Sequence, residues 1–260
     1  AFAGCQKLND VQISAERVQF GEYAFTGCAS LTAFEVNSSL VPAGMFYRCT
    51  NLAEVTLGSA VEAIHEFAFN GTKVSTFTVR DGNTALRVQS ADYVISADET
   101  ELVAVAPSVK GKFNASSIGN ANVTKIGRGA FSHNLSVTSV ELPAVTFVDA
   151  YAFGFYDTTR PNLRSALTSV SLGTLTNIGD YAFYGIMISQ IPAYSSDVVF
   201  GKYAFSNTGI TSVAMGDNMV LPEGLFADCS KLTTINVGNN VNIGDYAFSG
   251  CNNLAEATLG

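Results

Sequence analysis

The sequence predicts a repeat solenoid, a right-handed superhelix in which short units stack along one axis and their β-strands run parallel. Two observations predict this fold. The dipeptide Ala-Phe, or a close variant, recurs along the whole chain of 260 residues, and a stripe of aliphatic residues follows each copy. A pattern that repeats every 20–50 residues or so is typical of solenoids, in which each unit contacts only its neighbours.

The phenylalanine of the recurring dipeptide forms the first line of the predicted core. Successive copies lie 21 to 23 residues apart, except for one gap of 62 and one of 30 residues. Stacked coils would give each ring a neighbour on both sides, so we expect one column of ten rings. Full burial of one phenylalanine stabilises a fold by roughly 1.5–3 kcal/mol. The ten positions are Phe2, Phe25, Phe46, Phe69, Phe131, Phe153, Phe183, Phe205, Phe226 and Phe248.

Two further lines of apolar residues complete the predicted unit. The stripe reads aliphatic-x-x-aliphatic-x-aliphatic and is clear in Leu52-x-x-Val55-x-Leu57. Its last two aliphatic residues alternate with polar ones, which is the periodicity of a β-strand. Another apolar residue stands five positions before each repeat phenylalanine after the first and predicts a second, shorter strand. We therefore predict one leucine-rich-repeat solenoid over residues 1–260, rich in β-strand, with short turns or 3-10 segments.

The gap of 62 residues predicts an irregular unit at residues 84–122. Alternating stretches within residues 92–107 flank a polar turn at Ala97 to Thr100. Two alternating runs around a polar turn predict a β-hairpin. We expect this hairpin insert to serve mainly in packing.

The last unit, Ile-Gly-Asp-Tyr-Ala-Phe-Ser-Gly-Cys-Asn-Asn-Leu at positions 243–254, resembles the BspA-type leucine-rich repeat. The Ala-Phe corner makes the resemblance specific, and the stretch at residues 92–107 is similar to a hairpin insert common in this family. The resemblance implies a secreted or surface-anchored protein that acts in adhesion and binds host matrix or plasma proteins. It implies no catalytic residues, because the family shares none.

Charge and hydropathy exclude two classes of partner. The chain carries 22 acidic and 14 basic residues, for a net charge of −8, and the bases never form a run. A nucleic-acid-binding protein would instead carry a basic stripe. The longest apolar run is a handful of residues, far below the roughly 20 that a membrane span needs. We therefore expect neither nucleic-acid binding nor direct membrane insertion.

The cysteines and histidines do not form a recognisable metal or catalytic site. Cys5, Cys28, Cys49, Cys229 and Cys251 each follow a repeat phenylalanine by three positions, where other units have Thr, Asn, Ile or Tyr. We expect free thiols, buried or half-buried, in a ladder along the core. No C-x-x-C pair is present, so no zinc site is predicted. We expect His65 and His133 to lie on the surface, and we predict no cofactor and no enzyme activity.

Two regions are candidates for protein binding. The outward residues of the stripe are small, polar and mildly acidic, with Tyr194 and Arg80 as exceptions. The unit after Phe153 is about eight residues longer than the others, and insertions in repeats often form binding loops. Tyrosine and arginine dominate protein-binding hot spots, and the candidate residues in this loop are Phe155, Tyr156, Asp157, Arg160 and Arg164. A solvated sheet face and a neutral surface loop are the alternative interpretations.

The predicted function is a non-catalytic, secreted or cell-surface recognition module, an adhesin-like ectodomain that binds host or matrix proteins through the solenoid face and loops. Two alternatives stay open. A glycan-binding surface protein would need aromatic platforms, which the outward stripe positions nearly lack. A structural spacer that projects another domain would fit a chain that starts and ends inside repeat units without polar caps, and for the same reason we expect flanking sequence.

Overall fold

The computed structural model describes residues 1–13, 18–119, 122–155 and 163–260. The chain is a β-solenoid of about ten turns, which confirms the predicted fold class. In the described ranges the regular elements are short parallel strands, one antiparallel insert and a 3-10 helix at Ala115–Ile118, and none of them is a helix able to span a membrane. The strands are β1 (Ala33–Val36), β2 (Leu40–Val41), β3 (Glu54–Leu57), β4 (Ala63–Ile64), β5 (Thr76–Val79), β6 (Leu86–Ser90), β7 (Tyr93–Ser96), β8 (Glu101–Val105), β9 (Gly111–Asn114), β10 (Lys125–Ile126), β11 (Val137–Leu142), β12 (Phe147–Val148), β13 (Ser169–Leu172), β14 (Leu175–Ile178), β15 (Tyr194–Phe200), β16 (Ser212–Met215), β17 (Val220–Leu221), β18 (Thr234–Val237), β19 (Asn242–Ile243) and β20 (Glu256–Leu259).

The leucine-rich stripes form parallel sheets along one side of the solenoid. Strands β1, β3 and β5 make the first sheet, β9, β11 and β13 the second, and β16, β18 and β20 the third. The register places equal repeat positions side by side, so Val55 lies between Phe34 and Phe77 in the core. The same register aligns Thr56 with the outward neighbours on either side. The alternation read from the sequence is therefore confirmed as one buried and one solvated face.

The second line of apolar residues lies in the short strands that precede each corner. Strands β2 and β4 pair, as do β17 and β19, and the others join a seven-stranded sheet with β6, β7 and β8. Val41, Ile126 and Ile178 in these strands are fully buried. Most coils are thus closed by two strands and a corner, as predicted, but the described residues before Ala33 contain no strand, so the predicted second strand at Phe20 does not form.

The corner phenylalanines stack, but in two columns rather than one. Phe2, Phe25, Phe46 and Phe69 form the first, with ring centroids 5.1 to 5.8 Å apart. The second contains the remaining six rings, 5.0 to 5.6 Å apart. Between the columns, Phe69 meets the edges of Phe77 and His133 instead of Phe131. The prediction of one unbroken column of ten is therefore wrong at the insert.

The predicted hairpin separates the two columns and is itself core. Strands β6, β7 and β8 pair antiparallel, and Asp98 closes the polar turn by accepting hydrogen bonds from the Thr100 amide and hydroxyl. Val94 packs with the N-terminal core, whereas Tyr93 and Ile95 pack with the C-terminal core. Because β7 and β8 lie between two cores, both of their faces are buried, whereas β6 is buried only at Leu86.

Val105 takes the place of the missing corner phenylalanine in the additional coil at the insert. Its amide donates to the Ala130 carbonyl at 2.9 Å, as the Phe131 amide donates to the Ala152 carbonyl at 2.7 Å in the next coil. The corner hydrogen bond from the additional coil to the coil of Phe131 is thereby kept. The aromatic column is not, because valine offers no ring to stack.

Four of the five cysteines form the predicted buried ladder. Cys28, Cys49, Cys229 and Cys251 are buried and free. Each thiol donates to the carbonyl of the corner phenylalanine one coil earlier, at 3.0 to 3.2 Å. Burial raises the pKa of Cys49 to about 12 and that of Cys251 to about 11. Cys5 departs from the prediction because it is exposed in the first coil.

Thiol titration should separate Cys5 from the other four cysteines. In the folded protein we expect one fast-reacting thiol, because only a thiolate reacts and burial keeps the other four protonated and shielded. Denaturation should release four more. The variant Cys5→Ser is the control and should lose the fast phase completely. Fast reaction of a second thiol in the folded protein would contradict the ladder.

His133 is buried, which corrects the prediction of a surface position; His65 is half-buried. Only 2% of His133 is exposed, and burial lowers its pKa to about 4. In the described part of the chain neither of its ring nitrogens makes a well-formed hydrogen bond, and the same holds for the side chain of buried Asn70. Both residues lie where the coil of Phe69 meets the coil of Phe131.

Candidate functional site

An aromatic side chain stands two positions before the corner phenylalanine in many coils. The backbone at this position is left-handed, with φ between 54° and 58° at the aromatic residues. Other coils have glycine there, as at Gly44 and Gly224. Bulky residues seldom adopt this conformation, and such outliers are concentrated at sites that use them. The aromatic residues are Tyr23, Phe67, Tyr151, Tyr181, Tyr203 and Tyr246.

Four of these side chains form what we call the tyrosine column: Phe67, Tyr151, Tyr181 and Tyr203. The rings of Tyr151 and Tyr181 stack at 5.0 Å with an interplanar angle of 4°, and those of Tyr181 and Tyr203 stack at 5.2 Å and 9°. Phe67 meets Tyr151 edge-on at 5.6 Å. The column ends at Gly224, where a Cβ atom would lie 2.1 Å from the Tyr203 ring. A glycine is needed at that position because the ring of the preceding coil occupies its side-chain space.

A groove of about 400 Å³ runs beside this column, and we call it the tyrosine groove. The column residues line it together with Tyr184, Ser206 and Asp228. Both faces of the Tyr181 ring are covered by its neighbours in the stack. The column therefore offers the groove ring edges and phenol groups rather than open ring faces.

Ser206 gives the groove a buried polar group. The residue is 2% exposed, and its hydroxyl makes no hydrogen bond within the described ranges of the chain. Ser132, which holds the same position in an earlier coil, donates to the Gly129 carbonyl at 2.8 Å and accepts from the Phe67 amide at 3.0 Å. The Ser206 hydroxyl is thus left available to whatever enters the groove.

The N-terminal end of the column is occupied by a cation of the chain itself. Arg128 donates to both carboxylate oxygens of Glu66, at 2.6 and 2.9 Å, and its guanidinium lies 5.6 Å from the centre of the Tyr151 ring. Burial is the largest single influence on the pKa of Glu66 and raises it, but the hydrogen bonds and charge of Arg128, with a backbone hydrogen bond and the nearby His65, together lower that pKa below its ordinary value. This end of the column is therefore occupied by an internal ion pair.

The C-terminal end has a carboxylate without such a cation. Asp228 is exposed, and in the part of the chain that the structure describes it has no ion-pair partner. The nearby cation Lys202 is engaged by Glu223 at 2.9 Å. Glu223 also accepts a hydrogen bond from the Tyr203 hydroxyl at 3.0 Å. The open end of the groove is acidic.

The residues predicted from the sequence are spread over several surfaces. Arg80 is exposed on the strand face and forms two hydrogen bonds with Glu35 across the first sheet, the shorter at 2.6 Å. Tyr194 is half-buried, and its hydroxyl donates to the Ala214 carbonyl at 3.0 Å. Arg164 is exposed and donates to the Leu163 carbonyl.

The loop after Phe153 is only partly described. Phe155 is 5% exposed and packs in the C-terminal core, so it is not the surface aromatic that the prediction required. Tyr156, Asp157 and Arg160 lie outside the described residues. The structure brings none of the described candidates into the tyrosine groove.

Sequence analysis missed the tyrosine groove, although a signal for it was present. The tripeptide Tyr-Ala-Phe recurs at five of the ten corners. The prediction uses only the last two residues of this tripeptide and places its aromatic candidates on the strand face and in the loop after Phe153, not beside the corner. The five tripeptides begin at Tyr23, Tyr151, Tyr181, Tyr203 and Tyr246.

Comparison with known proteins places the repeat in a family. The model of the BspA type leucine rich repeat region matches six copies, over residues 1–93, 110–171 and 162–260. The stretch left unmatched contains most of the hairpin. No curated protein sequence matches the chain.

Solved structures with the same fold come from bacteria. A leucine-rich repeat protein from Eubacterium ventriosum is 17% identical with a TM-score of 0.54, over 88% of this chain and 55% of that one. The pneumococcal vaccine antigen PcpA is 16% identical with a TM-score of 0.56, over 83% and 58%. A leucine rich cell surface protein from Faecalibacterium prausnitzii is 21% identical with a TM-score of 0.50, over 99% and 74%. The chain spans little more than half the length of the first two.

Proposed function

We propose that this chain, which belongs to the BspA-type leucine-rich repeat family, is a non-catalytic module that recognises proteins. The observation that carries the proposal is the tyrosine groove, a concave surface lined by several tyrosine side chains. Tyrosine is enriched at protein interfaces because it brings a large contact area and a hydroxyl group at low conformational-entropy cost. Stacking has already fixed the rings of Tyr151, Tyr181 and Tyr203, so binding costs little further ordering.

The proposed setting is the cell surface or the extracellular space, and the proposed role is adhesin-like, with host matrix or plasma proteins as partners. The family resemblance supports this setting. Two similar structures add support, one described as a cell surface protein and one as a vaccine antigen. Repetition of the chain on a surface would raise a modest affinity through avidity.

Binding to purified matrix and plasma proteins tests the proposal. The chain is presented once as a monomer and once clustered on beads, because avidity can exceed single-site affinity by about 10²–10⁴. We expect at least one protein to bind the clustered chain. The variant Tyr181→Gly should bind it at least about tenfold more weakly, since one central aromatic hot spot contributes this much or more. Glycine is the matched replacement because Gly44 and Gly224 hold the same left-handed position.

Two results would overturn protein recognition. If the clustered chain bound none of the proteins in the panel, the remaining interpretation would be a structural spacer. Binding on a glycan array, with none to proteins, would favour the glycan alternative. The stacking of the tyrosine column argues against that alternative, because sugar rings pack on open aromatic faces and both faces of Tyr181 are covered.

A further inference from the structure

We infer that the tyrosine groove binds an arginine side chain presented by an extended segment of a partner protein. The inference rests on the proposed function and names the chemistry of its partner. Three features carry it: an internal arginine that already uses one end of the column, an acidic end that no cation of the described residues pairs, and the Ser206 hydroxyl in the groove lining, which no described residue bonds.

Arg128 shows how this surface holds a guanidinium. It lies beside the Tyr151 ring and donates two parallel hydrogen bonds to Glu66. An aromatic ring beside a carboxylate suits arginine particularly well. The planar guanidinium can stack on the ring and at the same time donate two parallel hydrogen bonds to the carboxylate. The column thus contains an occupied example of the site that we propose at its other end.

Asp228 is the counterpart of Glu66 at the open end. It lines the same groove as Tyr181 and Tyr203, and no ion pair in the described ranges neutralises it. Ser206 lies on the same wall with a free hydroxyl oxygen that can accept one more N–H. A guanidinium has five donors and no acceptor. One arginine can therefore satisfy both groups, whereas a carboxylate or phosphate would be repelled.

The charge around the groove selects a cation over other ligands. Among the described residues, four carboxylates lie around the column, and the two cations beside it, Arg128 and Lys202, are both paired. The whole chain adds a net charge of −8, which attracts basic segments over a distance of about a Debye length. The volume of about 400 Å³ is at the small end for ligand sites, so it suits one or two side chains and not a folded element. The carboxylates are Glu66, Asp180, Glu223 and Asp228.

A peptide series tests the inference directly. The probes are short glycine-serine peptides that carry two arginines, two lysines or two citrullines, and binding is followed by calorimetry and by tyrosine fluorescence, which no tryptophan obscures. We expect the arginine peptide to bind several-fold more tightly than the lysine peptide and at least about tenfold more tightly than the citrulline peptide, which keeps the shape but loses the charge. Binding should weaken as salt is raised.

Matched variants locate the site. Asp228→Asn should weaken binding of the arginine peptide at least about tenfold, the range for losing one partner of a charged hydrogen bond. Asparagine fits the left-handed backbone there, because Asn207 holds the equivalent position with φ of 55°. Glu54→Gln removes the same charge from the strand face, where Glu54 is exposed, and should leave binding unchanged.

The outcomes separate this inference from the proposed function. Three results would each overturn the arginine site. The arginine and citrulline peptides could bind equally well, the Asp228→Asn variant could bind the arginine peptide as tightly as the wild type does, or the arginine peptide could fail to bind up to about 1 mM. A matrix or plasma protein that still binds the Asp228→Asn variant at full strength would leave the proposed function standing and this inference refuted. Loss of that protein's binding in Asp228→Asn, but not in Glu54→Gln, supports both.

Discussion

Replacement of Phe183 by alanine is expected to lower the free energy of unfolding by about 3–5 kcal/mol. The side chain is fully buried and stacks at 5.1 Å on both Phe153 and Phe205. Alanine would remove a ring that two coils use in common and leave a cavity in the middle of the second column. Equilibrium unfolding in urea, followed by circular dichroism and by tyrosine fluorescence, measures the loss and shows whether the transition is cooperative.

The matched control is the same substitution at the start of the first column. Phe2 is 43% exposed and, among the described residues, stacks only on Phe25. Phe2→Ala should therefore cost clearly less than Phe183→Ala, about 1–2 kcal/mol in line with its smaller buried area. A loss below about 1 kcal/mol at Phe183 would contradict the stabilising role of the stack, whatever the control shows.

The repeated part of the fold was predictable because each signal recurs with the same spacing. A single Leu52-x-x-Val55-x-Leu57 pattern is ambiguous, but ten copies fix both the strand and its register. Neighbouring coils align equal repeat positions, so the strand face followed from the positions between the aliphatic residues. Solenoid geometry is local in this sense: each coil contacts mainly the next.

The prediction failed at the insert, where a strand residue stands in the place of the corner phenylalanine. Val105 occupies the corner of the additional coil and keeps its hydrogen bond to Ala130. A search for Ala-Phe passes over it, because nothing in a valine marks a corner. The break in the phenylalanine columns follows from this one residue.

The tyrosine groove was not predicted because its residues contradict a local preference. A tyrosine with φ near 56° is unfavourable by itself, so propensity gives no reason to expect Tyr151 or Tyr181 at a left-handed corner. The stacking that compensates comes from residues 22 to 30 positions away and exists only in the folded solenoid. The prediction instead followed loop composition and selected Phe155, which hydrophobic burial takes into the core.

His133 was misplaced for a related reason. It stands two positions after its corner phenylalanine, where Arg48, Asn207 and Asp228 have a left-handed backbone and point away from the core. His133 does not share that conformation, and its ring packs edge-on against Phe69 at 5.5 Å. The end of the first phenylalanine column leaves space there, and the imidazole fills it.

Lowering the pH from about 6.5 to about 4 should destabilise the protein through His133, by up to about 3 kcal/mol. Burial lowers the pKa of His133 from 6.5 to about 4 in the folded protein. Between these values the unfolded chain binds a proton that the folded chain cannot, so the free energy of unfolding falls as the pH falls. Urea unfolding at a series of pH values measures the slope.

His133→Phe isolates this contribution, because it keeps an aromatic ring beside Phe69 and cannot take up a proton. The difference in stability between wild type and variant should be nearly constant above pH 7 and should shift in favour of the variant as the pH falls towards 4. His65→Asn is the matched control, since the chain has only two histidines and His65 is not enclosed. That variant should follow the wild-type pH profile. If the steep fall between pH 6.5 and 4 persisted in His133→Phe, carboxylates rather than the buried imidazole would account for the acid sensitivity.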